Sequence, residues 1–121
     1  MLLARLFAEG RSPPDAFWSG ELISSRLLEY EVFNRVHARG AGPSHGTDAR
    51  NLVDRVGLLE MSAPVLARAL LPFPQSVRTL DALHLATMDF LRGQGQTLTL
   101  ATFDQRLAAA ATMLGFPLFG V

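Results

Sequence analysis

Residues 79–107 constrain the fold more than any other part of this chain. From about Thr79 to Leu91 the sequence is apolar nearly all round (Leu80, Ala82, Leu83, Leu85, Ala86, Met88, Leu91). That pattern marks a helix buried inside a domain rather than one laid on its surface. Gly93 and Gly95 stop it. Thr97 to Thr102 then reads as a buried parallel strand. At Thr102-Phe103-Asp104-Gln105-Arg106-Leu107 that strand gives way to another helix, running from about Gln105 to Leu114.

The same alternation runs through the rest of the chain. Residues 2–8 read as a short helix ended by Gly10, and Ser12-Pro13-Pro14-Asp15 as a second short turn. A brief strand is expected over Glu21 to Ser24, then a capping serine and a helix from about Arg26 to Ala38. Gly40-Ala41-Gly42-Pro43-Ser44 reads as a break. A helix over 45–56, a strand over 58–61 and a helix opened by Ser62-Ala63-Pro64 follow. Pro72-Phe73-Pro74 is a loop, and Phe116 to Phe119 is the expected last strand. Short strands alternating with helices predict an α/β sandwich with a mostly parallel sheet flanked by helices. At 121 residues the chain is expected to form one domain.

Composition narrows the chemistry. An apolar fraction of 49% with 18% charged residues excludes a disordered chain. Cys is absent, which removes disulfides, thiolate zinc sites and a cysteine nucleophile, and fits a reducing cytoplasm. No apolar run reaches the ~18–20 residues needed to span a bilayer, so no membrane partner is expected. The formal net charge is zero, and all eleven basic residues are Arg. No global attraction to nucleic acid follows from that balance.

The acidic residues carry the functional signal. Asp104 falls where a strand ends and a helix begins, which is where open α/β sheets bind ligands. Asp81, in Thr79-Leu80-Asp81-Ala82-Leu83-His84-Leu85-Ala86-Thr87, opens the buried helix, and Glu31 lies inside the 26–38 helix. Together they suggest a site for a hard divalent ion, which prefers carboxylate oxygens. Such an ion polarises a phosphate and lowers the pKa of an attacking water. Each acid also has a plain explanation: an N-cap for Asp104, a first-turn acid favoured by the helix dipole for Asp81, and a solvated helix face for Glu31. Glu29 competes with Glu31, and spacing does not separate them.

Ser24-Ser25-Arg26-Leu27-Leu28-Glu29-Tyr30-Glu31-Val32, the Asp81 segment and the Thr102–Leu107 segment, closed by Leu114-Gly115-Phe116-Pro117-Leu118, resemble PIN-domain ribonucleases. They are most similar to the toxins of VapC-type toxin–antitoxin pairs. The resemblance covers nearly the whole chain, and the Asp-Ala-Leu-His-Leu-Ala helix followed by Thr-Phe-Asp is its more specific part. It implies a PIN-like fold and a Mg²⁺- or Mn²⁺-dependent endoribonuclease with an acidic quartet. By that match Glu31, rather than Glu29, joins Asp81 and Asp104 as metal ligands, and Thr102 positions water or a neighbouring acid. RNA would be the substrate, and a cognate antitoxin and a second copy of the chain the protein partners.

One departure accompanies the resemblance. Family members open on an apolar strand ending in Asp, ahead of a helix resembling 2–8; here that helix starts at Met1. The expectation is therefore a PIN-like domain short of its first strand and of one metal-binding Asp. An upstream start, a decayed toxin and an altered, non-catalytic form each account for it. The last of these gives the rival function: a protein that binds an antitoxin or a sister toxin and cuts nothing.

Other residues have local readings. Arg26, Arg78 and Arg106 adjoin the acidic motifs and would meet phosphates or form surface salt bridges. His84 would orient a carboxylate or sit satisfied in the interior, while His37 and His45 read as surface residues. Leu2, Leu6, Phe7, Phe17 and Trp18 would form an apolar surface or pack in the core.

Overall fold

A computed structural model describes Trp18 and residues 20–119. The chain divides into two compact units, one ending at Leu59 and the other beginning at Glu60. The expected helix over 2–8, the turn at 12–15, and Leu2, Leu6, Phe7 and Phe17 lie outside the described residues.

In the first unit, strand β1 (Ile23–Ser25) leads to helix α1 (Leu27–Ala38), helix α2 (Gly42–Val53) and strand β2 (Gly57–Leu59). The strands pair in parallel, with Ile23 opposite Gly57, Ser24 opposite Leu58 and Ser25 opposite Leu59. Parallel neighbours require a crossover, and α1 and α2 supply it. Val32 and Val36 of α1 and Ala49 and Val53 of α2 are buried in one cluster with Ala41 and Val56. Trp18 packs against this cluster, with the Arg55 guanidinium 4.6 Å from its ring centre.

Two local expectations are corrected here. Ser25 does not cap α1: it is 1% exposed as the last residue of β1, and Arg26 occupies the cap position without a side-chain hydrogen bond. Gly42 and Pro43 do not form a break but start α2, because proline fits a first helical turn, where its missing N–H is no loss. The break is confined to residues 39–41, where Gly40 has a φ of +64° that is open to glycine at no steric cost.

In the second unit, helix α3 (Ala63–Ala69) precedes helix α4 (Thr79–Gly93) and helix α5 (Gln105–Met113). Leu85 of α4 is fully buried and clusters with Leu107, Ala110 and Ala111 of α5 and with Phe116. Gly115, at φ +89°, turns the chain after α5. The strands expected over 97–102 and 116–119 reduce to one parallel bridge, Leu100 with Leu118. The Leu100 N–H donates to the Pro117 carbonyl at 2.9 Å, and the Phe119 N–H to the Leu100 carbonyl at 2.8 Å. The pairings of the described residues are thus parallel, as the sequence led us to expect, within an α/β fold of short strands and covering helices. No helix of the described residues is long and apolar enough to cross a membrane.

Candidate active site

Asp104 is the N-cap of α5. Its extended backbone (φ −79°, ψ 113°) brings Oδ1 under the first turn, where it accepts the Arg106 N–H at 2.9 Å and the Leu107 N–H at 3.1 Å. These are two of the N–H groups that a helix start leaves without partners. Thr102 Oγ1 accepts the Asp104 N–H at 3.0 Å, a contact to the backbone of that acid. The capping explanation of Asp104 is therefore realised. Both cap bonds use Oδ1, so the cap engages one carboxylate oxygen of an exposed residue.

Asp81 is half-buried in the first turn of α4, where its negative charge meets the positive end of the helix dipole. Leu85, four residues on, belongs to the same buried cluster as Leu107, three residues after Asp104. Both acids therefore stand about one turn ahead of side chains fixed in a single core.

Glu31 is half-buried on α1 in the first unit, next to the buried Val32. Its competitor Glu29 is committed elsewhere. Glu29 Oε2 pairs with Arg50 at 2.8 Å and Oε1 with Arg26 at 3.5 Å. The hydrogen bond from Arg50 holds the Glu29 carboxyl below its usual range, against a smaller upward pull from desolvation, and the charges of Arg50 and Arg26 add to the lowering. Asp81 and Asp104 belong to one unit and Glu31 to the other. Within neither unit do three Asp, Glu or His side chains among the described residues cluster tightly enough to hold a metal ion.

The arginines divide. Arg26 takes the salt-bridge role with Glu29. Arg78, at the cap position of α4, and Arg106, in the first turn of α5, are exposed. His84 is half-buried on α4, His37 is exposed beside Phe33, and His45 shares a hydrogen bond with the Ser44 hydroxyl at 2.7 Å.

The second unit also holds a polar group that the sequence did not announce. Asp89 on α4 accepts from Arg68 Nε at 2.6 Å and from Arg92 Nη2 at 3.0 Å. The two guanidiniums lie over Phe73 and Phe116, at 4.3 Å and 4.1 Å from the ring centres. Nothing local in the sequence links Arg68 to Asp89, since the partners lie on different helices. Beside them, a largely apolar cleft of about 670 Å³ is lined by residues including Leu66, Leu70, Phe73, Gln75 and Leu83.

Comparison with known proteins completes the picture. A family model of the PIN domain matches residues 4–113. The chain belongs to the PIN domain family. It is 33% identical over 97 residues to Ribonuclease VapC47 of Mycobacterium tuberculosis (strain CDC 1551 / Oshkosh), a match covering 80% of this chain and 70% of that protein. No solved structure matches the chain. The PIN-domain, VapC-type resemblance read from the acidic motifs is thus borne out.

Proposed function

We propose that this protein is a divalent-metal-dependent endoribonuclease, the toxin of a type II toxin–antitoxin pair, and that Asp81, Asp104 and Glu31 are its metal ligands. The observation that carries this reading is the split use of the Asp104 carboxylate: Oδ1 is bound to the helix, which fixes the group without consuming its second oxygen. Asp81 begins a helix whose buried face shares a core with α5, and it offers a second hard oxygen donor. Glu31 is preferred over Glu29 because two arginines already hold the Glu29 carboxylate.

Such an all-oxygen donor set fits Mg²⁺ or Mn²⁺. When bound, the ion would act as a Lewis acid on a phosphodiester. The chain's own contribution is to hold the acids. Thr102 fixes the Asp104 backbone through its hydroxyl oxygen and keeps its own O–H proton for an acceptor nearby. Arg78 and Arg106 are the exposed cations closest in sequence to the two acids and suit backbone phosphates of RNA. We take both units as parts of one PIN-like domain, because the family match runs through both. The absence of Cys fits a cytoplasmic setting.

A second reading keeps the fold and the partners without catalysis. The exposed Leu66 and Leu70, which line the cleft, and Leu71 beside them favour it, since apolar surface of this kind marks protein contacts. In either reading a cognate antitoxin and a second copy of the chain are the partners. Calorimetric titration of Mn²⁺ into this chain and into the Asp81→Asn/Asp104→Asn variant, followed by RNA cleavage, separates the two. Saturable binding and cleavage, both lost in the variant, support the nuclease. A folded protein that binds no Mn²⁺ and cuts no RNA leaves the binding protein.

A further inference from the structure

The segment joining α3 to α4 alternates strictly. Phe73, Gln75 and Val77 are half-buried, while Pro72, Pro74, Ser76 and Arg78 are exposed. The segment bends at Pro74 and Gln75, and every second side chain lies against the surface beneath it. Phe73 and Val77 pack against the cluster of Leu85, Leu107, Ala110, Ala111 and Phe116. Between them Gln75 Nε2 donates to the Arg106 carbonyl at 3.2 Å. That carbonyl has two lone pairs, so it can take this bond beside one from its own helix. Two prolines stiffen the segment by fixing φ at Pro72 and Pro74.

The two ends of this strap matter. It runs directly into α4, whose first turn carries Asp81. Its polar anchor lies on Arg106, whose own N–H donates to Asp104 Oδ1. We propose that Gln75 is a positioning residue that pins the 72–78 strap to the start of α5 and so fixes Asp104 relative to Asp81. The proposal rests on the reading of these two acids as metal ligands. Phe73 and Val77 supply adhesion, which is non-directional. Gln75 supplies the directional contact that sets the register of strap on helix.

The test uses Gln75→Glu, which keeps length and shape but replaces the donor with a carboxylate facing a carbonyl oxygen. Gln75→Met, which loses the donor without adding charge, stands in if the Glu variant does not fold. Gln75→Lys restores a donor. Mn²⁺ affinity is measured by calorimetry on the full chain, with thermal unfolding alongside. The expected result is a fold that melts near the parent temperature, Mn²⁺ affinity weakened roughly fivefold, about the value of one hydrogen bond, and recovery in the Lys variant. Unchanged affinity in both donor-less variants overturns the proposal. A parent chain that binds no Mn²⁺ overturns the metal reading instead. Amide hydrogen exchange of Arg106 and Leu107, measured without metal, then decides the role of Gln75. Faster exchange at these two cap donors in Gln75→Glu upholds positioning of Asp104, and unchanged exchange sinks it.

Discussion

Arg68 and Asp89 meet at 2.6 Å across twenty-one residues of sequence, and their bond ties α3 to α4. Their side chains are 20% and 27% exposed, so solvent screens the pair only in part. Arg68 Nη1 is buried with no hydrogen-bond partner among the described residues, which makes the Nε bond to Asp89 the main compensation there for burying that guanidinium. Removing one partner should therefore cost more than removing both. Arg68→Met and Asp89→Leu alone should each destabilise by about 1–3 kcal/mol, because each leaves a partly buried charge behind. The double variant should recover much of that loss. Urea unfolding of the four proteins measures the coupling, and strictly additive effects would contradict this account.

Acid should weaken the fold through two carboxylates. Burial pushes the Asp89 carboxyl upward, but hydrogen bonds from Arg68 and Arg92, and then their charges, outweigh it and hold the group below its ordinary 3.8. Glu29 is held below its ordinary 4.5, chiefly by the Arg50 hydrogen bond. A carboxyl lowered in the folded state contributes stability that is fully present above its unfolded value and is lost as pH falls through its folded one. The urea midpoint should hold from neutrality to about pH 5 and then fall toward about pH 3. Asp89→Asn should flatten part of that fall, and an unchanged acid limb in this variant would rule Asp89 out as a cause.

How much of this was legible in the sequence follows from the range of each interaction. Helix α4 announced itself through a sequence apolar nearly all round, and α5 through Asp104 at one end and Gly115 at the other. Those signals are local, so they survive without tertiary information. Thr97 to Thr102 read as a full strand, yet among the described residues only Leu100 finds a bridge partner. Apolar side chains favour burial, but they do not decide how many backbone groups pair. Gly42-Pro43 read as a break because both residues punctuate chains, whereas their place at the start of α2 depends on the turn at Gly40. Among the proposed site residues, Asp81, Asp104 and Thr102 were legible as motif, and so was the N-cap reading of Asp104, which the structure realises. The bond from Gln75 to Arg106 and the commitment of Glu29 to Arg50 were not, since both join separate elements.

Glu29 and Glu31, two residues apart on α1, should separate cleanly. Glu29→Gln removes the charge that faces Arg26 and Arg50, so it should lower the melting temperature and leave Mn²⁺ binding and RNA cleavage in place. Glu31→Gln should do the reverse, with cleavage lost and the melting temperature close to that of the parent. Paired thermal melts and cleavage assays on the two variants decide it. Loss of cleavage in Glu29→Gln with a normal Glu31→Gln would reassign the helix acid.

Asp104 has one observed role, the helix cap, and one proposed role, metal binding, and one pair of substitutions can pull them apart. Asn keeps an oxygen acceptor and is among the best N-cap residues, whereas Ala has none. Asp104→Asn should therefore preserve the bonds to the Arg106 and Leu107 amides and unfold close to the parent. Asp104→Ala should lose about 1 kcal/mol, the usual cost of removing such a cap. The proposed metal binding and catalysis follow a different rule, because they would need the negative charge and not merely the acceptor: a neutral amide is a poor ligand for Mg²⁺ or Mn²⁺ where carboxylates neutralise the ion. Both variants should thus abolish Mn²⁺ binding and RNA cleavage to the same degree while differing in stability. If Asp104→Asn retains full cleavage, Asp104 is a cap alone, and the metal must be held by other carboxylates.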